Sequence, residues 1–323
     1  MENQTTPRRG RVVNTVLSAA VPVLAMYLLW LAAVAVVLFM GSFRFSGFIL
    51  PLVVPFAVAL FLGVAAFATE IFLVYADDGL VEIPAIRAFL FLWTGAVAFG
   101  VYSLTVNWGF KTGFKGQAVA ALGTVNLLVF ACLCATWMAA ALKKPSELVP
   151  VCAVVALADL FSVLAGPTRE LAKDIAAYYE KGMEGPPPFS DFILIKIPVP
   201  GLDAPMPLFG VSDWIILAFL CSAMVRFGLS DSLAGPGISG IKRKKRLALY
   251  APVAVLGLGF AVLAAQVSGM FLPALPIMVG FFLVHSLWAN EAVRRLDARE
   301  WRLIAGFSVV LLTLLAAGLF MGS

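Results

Sequence analysis

Long apolar runs separated by short polar stretches make up most of this chain. Nine runs approach the length of about 20 residues that a helix needs to cross the hydrocarbon of a membrane. They lie at roughly residues 16–40, 48–76, 87–108, 117–142, 147–166, 207–229, 247–268, 270–290 and 302–321. The pattern predicts an all-α fold, a polytopic transmembrane bundle of about nine helices.

Composition supports a membrane protein and argues against several other classes. The 323 residues are 62% hydrophobic and 13% charged, whereas a soluble domain is nearer half apolar and a quarter charged. All four cysteines lie in apolar runs and the chain has a single histidine, which argues against a disulfide framework and a zinc site. No phosphate-binding glycine loop is present. We therefore expect no cofactor, no metal and no nucleic-acid partner.

The positions of Lys and Arg predict the orientation of the helices. With the N-terminus in the cytoplasm, 16 of the 23 Lys and Arg residues fall on the cytoplasmic side. The positive-inside rule favours this arrangement. We expect a multi-pass protein of a prokaryotic plasma membrane. The basic cluster Lys242–Arg246 serves as a topology signal in this interpretation, and binding to anionic lipid head groups is the alternative.

The one sizeable polar stretch, residues 167–206, lies between the fifth and sixth apolar runs. Residues 168–182 have the pattern of an amphipathic helix. A glycine and three prolines follow at 185–188. Phe192–Val199 then predicts a short strand, which Pro198 restricts to an edge position or a strand end. An interfacial loop that dips into the lipid head groups is the alternative.

Two aspartates stand alone within apolar runs, Asp159 in the fifth and Asp213 in the sixth. An ionisable side chain near the bilayer centre costs at least ~2.5 kcal/mol and therefore indicates function. Asp159 precedes Gly166 by seven residues, or about 10 Å of helix, and Asp213 follows Pro207 by six, or about 9 Å. The two helices share a loop, so we expect them to pack with both carboxyl groups at one depth. Such a pair can share a proton and perform acid–base chemistry.

Three short motifs, in order, resemble those of the presenilin and signal peptide peptidase family of intramembrane aspartyl proteases. That family has Tyr-Asp in one helix, Gly-x-Gly-Asp in the next and Pro-Ala-Leu two helices later. Here Ala158-Asp159 stands in the first position, residues 210–213 read Gly-Val-Ser-Asp, and residues 273–275 read Pro-Ala-Leu. Ala158 replaces the family tyrosine, Ser212 replaces the second glycine, and four rather than five apolar runs precede the first aspartate.

The resemblance implies a presenilin-like core and a set of site residues. The implied divisions are 1–146 with four transmembrane helices, 147–290 as the catalytic core, and 291–323 with one further helix. The implied site comprises catalytic Asp159 and Asp213, and substrate-binding Gly210, Ser212, Pro273, Ala274 and Leu275. The implied substrates are transmembrane or signal-peptide-like proteins, cut within or near the membrane.

The proline motif has physical consequences of its own. Pro273 and Pro276 lack amide donors, so irregular backbone at this point would help to hold a substrate as an extended strand beside the aspartates. An ordinary helix start is the alternative, since proline is common there.

Other functions also fit paired membrane carboxylates. A proton- or cation-coupled transporter uses such pairs as relays, although no inverted repeat is evident. A prepilin-peptidase-like enzyme would be expected to lack the proline motif. An inactive relative that binds membrane proteins is the remaining alternative, suggested by Ala158 and Ser212.

Overall fold

A computed structural model describes residues 8–41, 50–75, 83–164, 167–235, 237, 250–268 and 272–321. The described chain is mostly helical, as predicted. The predicted topology signal at Lys242–Arg246 lies outside the described residues. The helices are α1 (Arg8–Gly41), α2 (Leu50–Tyr75), α3 (Pro84–Val106), α4 (Gly113–Ala140), α5 (Leu148–Leu164), α6 (Pro167–Glu180), α7 (Val211–Arg226), α8 (Val253–Ser268), α9 (Ala274–Ala289), α10 (Glu291–Arg294) and α11 (Ala298–Met321).

Within the described residues, five helical stretches are long and apolar enough to cross a membrane. They are Ala20–Phe39, Leu52–Tyr75, Pro84–Val106, Gly113–Ala140 and Pro145–Val163. Helices α7, α8 and α9 have 16 residues each, about 24 Å at 1.5 Å per residue. They are shorter than a hydrocarbon core of about 30 Å.

Helix α4 lies at the centre of the packing. It contacts α1, α3, α7 and the first strand of a hairpin described below, and Val125, Leu128 and Val129 are completely buried along it. Its apolar residues are distributed around the whole helix rather than on one face, which suits contacts on several sides. Helix α9 packs against α8, α5 and α7, whereas α5 and α7 make little direct contact. We expected the two aspartate helices to pack directly on each other, and this expectation is wrong. Both helices instead contact α9.

The loop between the aspartate helices is folded, and its elements match the prediction in part. The amphipathic helix is α6, and the predicted strand is confirmed as β1 (Leu194–Ile197). Antiparallel to it runs β2 (Met206–Gly210). The sequence predicted a helix from about residue 207, but α7 begins only at Val211. Pro207 has no N–H to donate to a helix, and Phe209 is instead buried opposite Ile195.

The hairpin and its flanking loop are fastened to the first half of α4. Leu202 accepts a hydrogen bond from Gln117 Nε2 at 2.7 Å, and the Gly113 N–H donates to the Asp203 carbonyl at 2.7 Å. Thr124 makes two further bonds to the backbone of Lys196. These bonds satisfy backbone groups that would otherwise be unpaired, so the region is an ordered part of the fold rather than a loose connection.

Candidate functional site

Asp159 is in the last third of α5 and its side chain is partly exposed. Its Oδ2 accepts a hydrogen bond from the backbone N–H of Leu275 at 3.3 Å. Leu275 is the second residue of α9, and the first four N–H groups of a helix have no partner within it. A carboxylate from α5 thus caps the N-terminus of α9.

The proline motif forms the start of α9. Pro273 is the N-cap residue, with φ −66° and ψ 116°, and Ala274 is the first helical residue. Pro276 is the third helical residue, where its missing N–H breaks no intrahelical bond. The alternative, an ordinary helix start, is therefore confirmed, and the expected irregular backbone is wrong from Pro273 onward. The motif nevertheless lies beside Asp159.

Asp213 lies in the first turn of α7 as its third residue. Its Oδ2 accepts a hydrogen bond from the Gly210 backbone N–H at 3.1 Å, an arrangement that satisfies an unpaired donor at the helix start. The predicted depth of about 9 Å inside a helix is therefore wrong. Asp213 is instead at the junction where β2 ends and the short helix α7 begins.

Gly210 and Ser212 adjoin this carboxylate. The Gly210 backbone is extended, at φ −76° and ψ 154°, so its conformation does not require glycine. The space does favour glycine, since an added Cβ would lie 3.2 Å from Ser212 Oγ and 3.9 Å from Asp213 Oδ2. Ser212 itself is exposed. A Cβ at position 210 would therefore crowd the Ser212 hydroxyl and make only an ordinary contact with Asp213.

The two aspartates are close enough to interact electrostatically. Each is near the N-terminus of a different helix, Asp159 at α9 and Asp213 at α7. Helix α9 packs against both α5 and α7. The structure thus brings together residues from all three sequence motifs, although they are separated by up to 116 positions.

Trp214 holds the first turn of α7 in place, and the sequence did not single it out. It follows Asp213 directly, is completely buried, and stacks on Phe209 with ring centroids 5.9 Å apart. Its Nε1–H donates to Thr69 Oγ1 of α2 at 3.1 Å. The contacts fix the first turn of α7, and with it Asp213, against α2. The tryptophan next to the aspartate was the one sign of this contact in the sequence. Its partner, Thr69 of α2, is known only from the fold.

The start of α5 is held by a polar network that the sequence did not reveal. Lys144 forms ion pairs with Asp297 and with Glu300, and the Ser146 hydroxyl donates to Glu300 at 2.8 Å. Glu300 also accepts the Asp297 N–H at 2.7 Å. The network joins the segment before α5 to the start of α11, which also packs along α5. It supports the Asp159 helix from the end opposite to the carboxylate.

A second pair of acidic residues, both buried, consists of Asp231, which follows α7, and Glu70 of α2. Asp231 is 2% exposed and accepts a hydrogen bond from the Tyr250 hydroxyl at 2.6 Å. Burial raises the pKa of Asp231 to about 6, although the Tyr250 hydrogen bond opposes that rise. Glu70 of α2 is also buried, within electrostatic range of Asp231. Among the described residues, no group of three or more His, Cys, Asp or Glu side chains is arranged to hold a metal ion.

Comparisons of this chain with protein-family models, with curated proteins and with solved structures find no match.

Proposed function

We propose that this protein is an intramembrane aspartyl protease, a distant relative of presenilins and signal peptide peptidases. One observation carries the proposal: the Leu275 N–H, within the Pro-Ala-Leu motif, bonds to Asp159 at 3.3 Å. Asp213 lies within electrostatic range of the same carboxylate. Three motifs that are weak separately thus meet in one place, as an aspartate dyad requires.

In the proposed reaction the two aspartates act as one unit that carries a single proton. The ionised carboxylate takes a proton from water while the water oxygen attacks the scissile carbonyl carbon. The protonated carboxyl gives its proton to the carbonyl oxygen, which produces a tetrahedral diol. The carboxyl that took the proton from water then gives it to the amide nitrogen, while the other carboxylate takes a proton from a diol hydroxyl and the C–N bond breaks. The products are a carboxylic acid and an amine, and the dyad regains its single proton.

The proposed substrate is a transmembrane segment bound as an extended strand. In the part of the chain that the structure describes, β2 pairs with β1 alone, which leaves its other edge open to a third strand. That edge ends at Gly210, three residues before Asp213. Addition of a strand would supply backbone hydrogen bonds to a substrate unwound from its helix. Those bonds offset the cost of unpaired amides in a dry site, several kcal/mol each.

In this proposal the protein is a multi-pass membrane protein with a cytoplasmic N-terminus. The five long apolar helices support membrane insertion, and the asymmetry of Lys and Arg supports the orientation. Helices α7, α8 and α9 are too short to cross the membrane alone. In this arrangement the β1–β2 hairpin, at the non-cytoplasmic end of α7, completes the crossing there.

The test is a cleavage assay with the purified protein, reconstituted in lipid and given a panel of transmembrane peptides. The wild-type protein and an Asp174→Asn control should both cut at least one peptide, because Asp174 is exposed on α6. Asp159→Asn and Asp213→Asn should each lose cleavage by about 100-fold or more, since each removes one member of the acid–base pair. Asparagine keeps the size of the side chain and an acceptor oxygen, so both variants should fold. Substantial cleavage by either variant would rule out the two-aspartate mechanism.

A further inference from the structure

We infer that a β-bulge at Leu208 sets the position at which the substrate is cut. The inference rests on the protease function proposed above. It assigns a specificity-determining role to a residue outside the three sequence motifs, and it depends on how the two strands of the hairpin are paired and fastened.

The register of the hairpin identifies Leu208 as an extra residue. Ile195 lies opposite Phe209, whereas the next residue, Lys196, lies opposite Pro207. Leu208 therefore has no residue opposite it on β1. An unpaired residue of this kind bends a strand and increases its twist, and such bulges are frequent beside active sites.

The burial of the side chains explains why the bulge is present. Ile195 and Ile197, two residues apart on β1, are both buried in the core. Their opposite residues on β2 are Phe209 and Met206, which are three residues apart. A regular strand repeats every two residues, so both pairs can form only if β2 contains one additional residue between them.

The first strand cannot shift to absorb this irregularity. Thr124 Oγ1 both donates to the Lys196 carbonyl at 2.9 Å and accepts the Lys196 N–H at 3.0 Å. Lys196 Nζ forms an ion pair with the buried Asp191 at 2.5 Å, and Asp191 also accepts the Tyr179 hydroxyl at 2.9 Å. Contacts from α4, from α6 and from the turn before β1 thus fix the strand at the residue beside the bulge.

The far end of β2 is fixed as well. Phe209 stacks on the buried Trp214, and the Gly210 N–H bonds to Asp213. The bulge therefore lies between two anchored points, the Met206–Ile197 pair on one side and the Asp213 junction on the other. The fold therefore fixes the number of β2 residues between these two points.

A substrate strand on the edge of β2 that faces away from β1 would lie in register with it. It would bond to the backbone groups still available there, since Pro207 has no N–H and the Gly210 N–H is bonded to Asp213. The bulge then places one residue more of the substrate between Met206 and Asp213 than a regular strand would. The β2 strand thus acts as a ruler, because its number of residues sets how far along the substrate the cut falls. Leu208 contributes one of those residues. Removing one residue at this position should move the cut by one residue, toward the part of the substrate that pairs with Met206 and Pro207.

The experiment compares three variants with the wild-type protein on one transmembrane peptide, with cut sites mapped by mass spectrometry. Deletion of Leu208 preserves the Ile195–Phe209 and Ile197–Met206 pairs and should shift the main product by one residue toward Met206. Insertion of one alanine after Leu208 should shift it by one residue in the other direction. Leu208→Ala retains the residue count and should cut at the wild-type position.

The outcomes separate this inference from the protease proposal. If the wild-type protein cuts and either length variant cuts at the unchanged position, the ruler is wrong although the protease function stands. A shift caused by Leu208→Ala would also overturn it, because the side chain rather than the residue count would then be responsible. If the wild-type protein cuts no peptide in the panel, the protease proposal itself fails. A thermal unfolding measurement shows which variants fold, and one folded length variant is sufficient for the test.

Discussion

The backbone N–H of Leu275 donates a hydrogen bond to the carboxylate of Asp159, across 116 positions of sequence. The donor belongs to the Pro-Ala-Leu motif and the acceptor to the first aspartate motif. Because the N-terminal amides of a helix have no partner within it, the start of α9 is suited to orient a carboxylate. The hydrogen bond gives the Pro-Ala-Leu motif a physical role, which is to hold the Asp159 side chain at the N-terminus of α9.

We expect Leu275→Ala to lower the rate of cleavage several-fold while Asp159 and Asp213 remain in place. The variant retains the backbone N–H, but it removes a side chain that is 7% exposed and fixes the first turn of α9. Leu283→Ala is the matched control, since Leu283 is half-buried on the same helix and about 12 Å further along it. Cleavage rates of both variants in lipid test the prediction. Equal rates for Leu275→Ala and the wild-type protein would show that this turn merely starts a helix.

Substitutions of Asp213 should separate stability from activity. Asp213→Ala removes the acceptor of the Gly210 N–H, and the loss of such a cap costs about 1 kcal/mol. Asp213→Asn keeps an acceptor oxygen and should unfold close to the wild-type temperature. Neither variant should cleave substrate. Thermal unfolding in detergent, measured beside the cleavage assay, tests the contrast, and an alanine variant as stable as the asparagine variant would contradict the capping role.

Trp214→Phe should weaken the attachment of α7 to α2. Phenylalanine retains a ring that can stack on Phe209 but loses the donor to Thr69. A hydrogen bond of this kind contributes about 0.5–1.5 kcal/mol, and we expect a lower unfolding temperature together with slower cleavage. Trp288→Phe is the control, because Trp288 is 82% exposed. Identical behaviour of the two variants would exclude a positioning role for Trp214.

The stability of the protein should depend on the ionisation of Asp231. Burial raises its pKa in the folded state to about 6, so the folded protein binds this proton more tightly than the unfolded chain. Stability from this group is therefore present at low pH and is lost as the pH rises through about 6. Between pH 5 and 7.5 the loss is about 1–2 kcal/mol.

Asp231→Asn should remove that dependence while keeping an acceptor for the Tyr250 hydroxyl. The difference in unfolding temperature between variant and wild type should be larger at pH 7.5 than at pH 5, in favour of the variant. Asp174→Asn, on an exposed residue, serves as the control. A difference that is the same at both pH values would show that Asp231 does not titrate in this range.

The proposed orientation predicts that the loop between α5 and α7 faces away from the cytoplasm. A single cysteine at Gly185, which is exposed, should react with a membrane-impermeant thiol reagent in intact cells. A single cysteine at Lys244 should react only after the membrane is permeabilised. The opposite pattern of labelling would reverse the assignment based on the positions of Lys and Arg.

The pattern of apolar and polar residues predicted a mostly helical chain, the approximate positions of its first five helices, the amphipathic helix α6 and the strand β1. These features depend on local periodicity and composition, which a sequence displays directly. The aspartates and the proline motif were also evident, because a carboxylate in an apolar run is conspicuous on its own.

Only the tertiary structure decided where Asp213 lies. Its surroundings appear helical in sequence because a short buried strand and a buried helix share the same apolar composition. The pairing of Met206 and Phe209 with Ile197 and Ile195 makes the first part of that run a strand. Those partners lie nine and fourteen residues away along the chain, so no local pattern contains them.

The bond from Leu275 to Asp159, the attachment of Trp214 to Thr69 and the bulge at Leu208 are likewise products of tertiary contact. Each depends on which helix or strand is adjacent in space, and the packing of the whole chain determines that adjacency. The sequence determined which residues are candidates for chemistry, because the type of side chain is local information. The fold decided which of them meet, because distance in space is not a local property.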